Sequence, residues 1–103
     1  MIRTQYLIRS NSTQKVASSL VLLARRFGKT VGENRIQIPI PQTHSDIANL
    51  SGVSRETASI ELKKLKDKDL ILVDKKLITI NDFKAIKEIS TIYYEDQPLL
   101  YDF

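Results

Sequence analysis

Apolar residues recur at helical spacing in the first third of the chain. Within residues 14–27 they stand three and four positions apart, the period of one face of an amphipathic helix, at Val16, Ala17, Leu20, Leu23, Ala24 and Phe27. The polar residues 10–13 supply a helix start signal, and Gly28 supplies the expected C-terminal stop. The pattern predicts a helix with one face packed against a core.

After this helix, the spacing of apolar residues changes to every second position. Residues 29–34 show no periodicity and are predicted as a loop, whereas residues 35–40 alternate polar and apolar, as in a half-buried strand. Pro39 restricts that strand to an edge position, because proline cannot donate to a central ladder.

The second half of the chain returns to strands and then to a helix. Two strand-like runs, 70–73 and 77–80, flank a predicted hairpin tip at 74–76. A last helix is predicted from Phe83 to about Ser90, with Asn81 or Asp82 as its cap.

Between the strand regions, residues 47–58 have the pattern of a helix-turn-helix. A short helix over 43–50, capped by Thr43 or Ser45, leads through the turn 51–53 into a second helix over 55–69, capped by Ser54. Gly52 falls where the turn needs a left-handed backbone. The second helix is predicted to bury Ala58, Leu62 and Leu65 and to expose Lys63, Lys64, Lys66 and Lys68. The elements predict an α+β fold, a winged helix-turn-helix with a three-helix core and a small antiparallel β-wing.

In such a module the second helix enters the major groove with its N-terminal end first. Arg55, Glu56 and Ser59 lie at that end, where arginine suits guanine and glutamate suits the cytosine amino group. Side chains at helix starts, on the second helix and at the hairpin tip are phosphate candidates: Thr43, His44, Ser45, Ser54, Thr57, Lys63, Lys75 and Lys76. Each of these residues also has an ordinary alternative as a cap, a turn residue or a solvated side chain, and Arg55 and Glu56 have one as a solvated helix start.

Charge agrees with a polyanionic partner. The 103-residue chain has a net charge of +4, and residues 1–80 hold 14 Lys and Arg against 7 Asp and Glu. It has no cysteine, one histidine that cannot form a metal site alone, no Gly-rich phosphate loop and no acid pair at a catalytic spacing. These observations predict a cytoplasmic protein that is not an enzyme, with no cofactor, no metal and no membrane segment.

The stretch Ser54-Arg55-Glu56-Thr57, followed by Leu62-Lys63-Lys64-Leu65 and Leu70-Ile71, resembles the C-terminal DNA-binding domain of the Crp/Fnr family. These bacterial transcription regulators carry an N-terminal sensor domain of the cyclic-nucleotide-binding type. The resemblance covers about residues 14–89. It implies that Arg55 and Glu56 read base edges, that Ser59 does so as in Fnr-like members, and that Thr43, Ser45, Ser54 and Thr57 lie near phosphates.

The chain departs from the family in two ways. Ile60 stands where many members have a guanine-reading arginine, and an isoleucine can at most touch a thymine methyl, so the half-site is expected to differ. The sensor domain and most of the dimerisation helix are missing, so the sequence fits either an excised domain or a natural single-domain relative. By resemblance, the partners are double-stranded DNA, a second copy in a homodimer, and, in a full-length regulator, an effector domain and RNA polymerase. Without the dimerisation helix, the alternative is a monomeric or weakly paired chain.

The sequence thus divides into three parts. Residues 1–12 are expected to be the remnant of a dimerisation helix or a linker, 13–90 the DNA-binding domain, and 91–103 an aromatic, acidic tail that packs on the domain or on a partner. The alternative function is a winged-helix module for protein interaction or dimerisation, because a fold does not fix a function.

Overall fold

The computed structural model describes residues 11–95, and it describes side chains for residues 11–90. In this part of the chain, helices α1 to α4 span Ser12–Phe27, His44–Ser51, Arg55–Asp67 and Phe83–Glu95, and strands β1 to β4 span Lys29–Gly32, Arg35–Ile38, Ile71–Asp74 and Leu77–Ile80. The predicted winged helix-turn-helix is confirmed. The expectations for residues 1–10 and 96–103 lie outside the described residues.

Helix α1 begins with a capping box. The Asn11 side chain accepts from the backbone N–H of Gln14, whose own side chain accepts from the N–H of Asn11, so two otherwise unpaired donors are satisfied. The predicted apolar face is buried except for Phe27, which is 46% exposed. The helix ends at Gly28, but in an extended backbone conformation and not a left-handed one. Glycine is required there by space, because a Cβ would clash with the carbonyl oxygen of Ala24 and the side chain of Ile36.

The sheet is larger than the predicted wing. Its four antiparallel strands run in the order β1-β2-β4-β3, and residues 29–32, predicted as loop, form β1. The edge position expected from Pro39 is wrong, because β2 lies between β1 and β4. The proline is nevertheless tolerated, since β2 ends at Ile38 and Pro39 lies just beyond its ladder.

The inner face of the sheet supplies much of the core. Cross-strand rows of Ile36, Ile80 and Ile71, and of Ile38, Ile78 and Val73, belong to one hydrophobic cluster with the buried face of α1. Helix α4 lies along α1, with Ile86 fully buried, and continues to Glu95 beyond the predicted end near Ser90. Full burial of an isoleucine contributes about 1.5–3 kcal/mol, so this core is a main source of the stability of the fold.

Helices α2 and α3 form the helix-turn-helix. The turn depends on Gly52, which is left-handed at φ 74° and donates its N–H to the carbonyl of Ala48. A small residue is buried on each helix, Ala48 on α2 and Ala58 on α3, at 3% and 0% exposure, which lets the two helices pack closely. Ala58, Leu62 and Leu65 are buried as predicted, while α3 ends at Asp67, two residues earlier than predicted.

Candidate nucleic-acid interface

The first turn of α3 presents two charged side chains to solvent. Ser54 caps the helix by accepting from the N–H of Thr57, and its hydroxyl lies 2.9 Å from the Thr57 hydroxyl. Arg55 and Glu56 follow the cap and are both exposed. Within the described residues neither forms a hydrogen bond or an ion pair, so both side chains remain able to bind an outside partner.

The second turn of α3 carries Ser59 and Ile60. Ser59 is half-buried, and its hydroxyl lies 2.6 Å from Nδ1 of His44, the first residue of α2. Ile60 is 55% exposed, the most exposed of the large apolar side chains in the described part of the chain. The exposed surface of α3 therefore combines the apolar Ile60 with the charged Arg55 and Glu56, so it can contact both polar and methyl groups of a partner.

The start of α2 is organised by a second capping box. Thr43 donates its N–H to Asp46 Oδ2 at 2.9 Å and accepts from the N–H of Asp46 at 3.0 Å. Hydrogen bonds to the Asp46 carboxylate, first from the backbone N–H of Thr43 and next from its side chain, hold the pKa of this carboxyl below its usual value, with a smaller contribution from the charge of Lys76. The capping box therefore occupies the backbone donor of Thr43, while Ser45 beside it remains exposed.

The wing tip adjoins this helix start. The N–H of Gln42 donates to the carbonyl of Lys76 at 2.8 Å, which fastens the loop before α2 to the turn between β3 and β4. Both turn residues are left-handed, Lys75 at φ 53° and Lys76 at φ 68°. This backbone fits a two-residue hairpin, yet glycine or asparagine is the usual occupant.

The starts of α2 and α3 and the wing tip are thus joined by direct contacts into one surface, here called the recognition surface. It comprises Thr43, His44, Ser45, Arg55, Glu56, Ser59, Ile60, Lys75 and Lys76. Ser54 and Thr57 support it from within the first turn of α3. Lys63 lies one turn beyond Ser59 and is paired with Asp67 at 3.2 Å, but both are well exposed and such a pair is worth only about 0.3–0.5 kcal/mol.

A buried carboxylate on the other side of α3 is absent from the residues singled out by the sequence pattern. Glu61 is 6% exposed and accepts from the hydroxyl of Thr13 in the first turn of α1 at 2.6 Å, and it also pairs with Lys64. Its position three residues after Ala58 and four before Leu65 places it on the buried face, a signal that periodicity does contain. Glu61 therefore connects α3 to the start of α1.

A capped helix with an exposed Arg-Glu start, packed on a preceding helix and flanked by a basic hairpin tip, defines a winged helix-turn-helix domain of the DNA-binding class. Residues 14–89 match the family model described as the Crp-like helix-turn-helix domain. The chain belongs to this family. The resemblance to Crp/Fnr regulators found in the sequence is thereby confirmed.

Individual proteins similar to this chain belong to the same class of regulators. The chain is 32% identical over 84 residues to the anaerobic regulatory protein of Pasteurella multocida (strain Pm70), an alignment covering 82% of this chain and 30% of the relative. The structure of reduced, ligand-free CprK superposes with a TM-score of 0.69 at 23% identity, over 80% of this chain and 39% of that one. A CRP/FNR-family transcriptional regulator of Thermus thermophilus gives a TM-score of 0.69 at 22% identity, over 85% and 44% of the two chains.

The chain spans about a third of the length of the curated relative it matches. Membership of the family makes it a DNA-binding domain of the kind found in transcription regulators, and the expectation that it is not an enzyme agrees with that family. Among residues 11–95, every helix is too short or too polar to span a lipid bilayer.

Proposed function

We propose that this chain binds duplex DNA in a sequence-specific manner, with the N-terminal end of α3 inserted into the major groove. The observation that carries the proposal is the exposed, unpartnered pair Arg55 and Glu56 at the capped start of α3. A base-reading side chain must reach the groove without first giving up an internal partner, and both residues meet that requirement.

Each residue of the recognition surface then has a role. Arg55 donates to guanine O6 and N7, Glu56 accepts from the cytosine amino group, and Ile60 packs on a thymine methyl in place of the family's arginine. Phosphates are held by Thr43, His44 and Ser45 at the start of α2, by Ser54 and Thr57 at the start of α3, and by Lys63, Lys75 and Lys76. Lys63 would exchange its weak pair with Asp67 for a phosphate.

The wider context is also proposed. Residues 13–90 form the DNA-binding domain and residues 1–12 belong to a linker or dimerisation helix. Residues 91–103 form an aromatic, acidic tail, of which the first five residues continue α4. Two copies on a two-fold symmetric site, half-sites about one helical turn apart, would place both recognition helices on the same side of the duplex. An effector domain and RNA polymerase are the partners expected of a complete regulator.

The test uses the 103-residue chain and a DNA site obtained by selection from a random pool. Arg55→Ala and Glu56→Ala should each weaken binding to the selected site by about 1–3 kcal/mol, roughly 5-fold to 150-fold, because a paired base edge loses its partner. Binding to random DNA should change far less.

Arg25→Ala is the matched control, since Arg25 is an exposed arginine on α1 outside the recognition surface. It removes the same positive charge as Arg55→Ala, and it should weaken binding to the selected site and to random DNA slightly and by the same factor. Equal losses on selected and random DNA for Arg55→Ala and Glu56→Ala would contradict the proposal. They would favour the alternative, a protein-docking module, which does not need both of these side chains.

A further inference from the structure

One side-chain hydrogen bond in the described part of the chain joins α2 directly to α3. It links Nδ1 of His44 to the hydroxyl of Ser59, 15 residues apart, at 2.6 Å. One partner is a proposed phosphate-contacting residue and the other a proposed base-reading residue. Whether the imidazole nitrogen donates or accepts therefore decides whether the serine hydroxyl can donate a hydrogen bond to a base.

The two ring nitrogens of His44 face different tasks. Nδ1 is occupied by Ser59, whereas Nε2 has no partner within the described residues, and the side chain is exposed at the start of α2. A neutral imidazole carries one proton, and the bond made at one nitrogen decides which nitrogen carries it. If Nε2–H donates to a phosphate, Nδ1 must accept, and the Ser59 hydroxyl must donate its proton into the ring.

A serine without such a partner reads bases ambiguously, because its hydroxyl can either donate or accept. A serine whose only proton is committed to His44 retains only oxygen lone pairs for the groove. In the major groove, adenine N6 and cytosine N4 offer protons, whereas guanine O6 and thymine O4 do not.

We propose that His44, with a neutral imidazole ring, is a specificity-determining residue: while its Nε2–H donates to phosphate, its Nδ1 accepts the proton of the Ser59 hydroxyl and so restricts Ser59 to bases with an exocyclic amino group. This inference rests on the proposed function and deepens it. The chain should therefore prefer adenine or cytosine over guanine or thymine at the base that Ser59 contacts.

The experiment first locates that base as the position whose preference is lost in Ser59→Ala. The affinities for all four bases at this position are then compared for the wild-type chain and for His44→Ala. We expect the wild-type chain to bind the adenine and cytosine sites about fivefold more tightly than the others, the equivalent of one hydrogen bond of about 1 kcal/mol. In His44→Ala the hydroxyl regains its freedom to donate, so this ratio should fall to about one.

Two amide variants separate the two nitrogens. His44→Asn places an amide near the position of Nδ1, where its oxygen can accept from Ser59, so it should keep the base preference while weakening binding to all sites. His44→Gln places its amide near the position of Nε2, so it should keep the phosphate contact and lose the preference. A simple structural role for His44 predicts no such opposite behaviour.

The combined variant His44→Ala with Ser59→Ala completes a double-mutant cycle. Strong non-additivity in base preference is expected, because either change alone removes the directed hydroxyl. The inference is overturned if His44→Ala weakens all four sites by one common factor, if the two changes are additive, or if Ser59→Ala alters no position. Failure of the proposed function is distinct from these results, because the wild-type chain would then show no preference at any position.

Discussion

At the scale of single residues, the wing tip combines unfavourable backbone geometry with useful charge. Lys75 and Lys76 both adopt left-handed backbone conformations, which cost a residue with a side chain about 1–2 kcal/mol. Glycine would relieve that cost in the same hairpin. Strain retained at a surface turn is often connected with function, and here the two lysines place positive charge at the edge of the recognition surface.

Lys75→Gly should therefore change stability and binding in opposite directions. We expect the free energy of unfolding to rise by about 0.5–1 kcal/mol, since relief of the left-handed strain exceeds the entropy that glycine adds to the unfolded chain. Affinity for all DNA should fall alike, and the slope of log K against log salt should decrease by about 0.9, the value for one lost phosphate contact. Denaturant titration and salt-dependent binding measure the two effects, and an unchanged salt slope would remove Lys75 from the phosphate contacts.

Asp46 is expected to make the stability of the fold depend on pH in the acid range. Its pKa is held below the ordinary 3.8 by hydrogen bonds from the backbone and side chain of Thr43. Because the folded-state pKa is below the unfolded one, the carboxylate stabilises the fold fully above pH 3.8, and this contribution is lost as the pH falls through the folded-state pKa. Asp46→Asn should therefore be less stable than wild type at about pH 7, with a difference that disappears in acid. A difference that is independent of pH would contradict this explanation.

At the scale of elements, the position of α3 depends on the turn that precedes it and on its contact with α1. Gly52 turns the chain from α2 into α3, and the hydrogen bond between Glu61 and Thr13 fastens α3 to α1. Arg55 and Glu56 in the first turn of α3 can consequently remain without internal partners, because these contacts on the opposite side already fix the orientation of the helix.

Gly52→Ala tests the turn. A Cβ at this position would meet nothing within 4 Å, so any cost comes from the left-handed φ of 74° alone. We expect a loss of about 1 kcal/mol in the free energy of unfolding, and a smaller loss for Gly52→Asn, because asparagine tolerates this conformation. Equilibrium unfolding of the two variants measures the difference; equal losses would indicate that packing, and not backbone strain, sets the requirement.

Elements with strong periodicity can be predicted from the sequence, and elements without it cannot. Helices α1 and α3 bury the apolar stripes expected of them, and their caps are local signals. Strand β1 escapes prediction because Lys29, Thr30 and Val31 are all exposed, so no alternation of polar and apolar residues marks it. The sequence pattern misplaces β2 at an edge because the alternation continues through Pro39, which lies one residue beyond the ladder.

In the candidate site, too, local features can be predicted from the sequence and contacts between distant residues cannot. Helix starts and the hairpin tip are local features, so their exposed side chains can be named from the sequence, although their roles in binding stay predictions. The pairs His44 with Ser59 and Thr13 with Glu61 join residues 15 and 48 positions apart. Such pairings depend on how helices pack, which no local pattern in a single sequence specifies.

At the scale of the whole molecule, the basic side chains and the fold favour the same partner. The positive excess lies in residues 1–80, which contain the recognition surface and the wing. A basic domain is drawn to any nucleic acid, and this non-specific attraction falls steeply with salt. Under the proposed function, specificity comes from the short-range contacts of α3, so affinity alone cannot distinguish a sequence reader from a general polyanion binder.

The most direct measurement is therefore selection of bound sequences from a random DNA pool, carried out at near-physiological salt with the wild-type chain and with Arg55→Ala. We expect wild type to enrich a defined sequence, and the variant to lose the preference at the base pair that Arg55 reads while retaining the others. A wild-type pool that remains random after repeated selection, or a sequence that Arg55→Ala enriches unchanged, would contradict the claim that the start of α3 reads bases in the major groove.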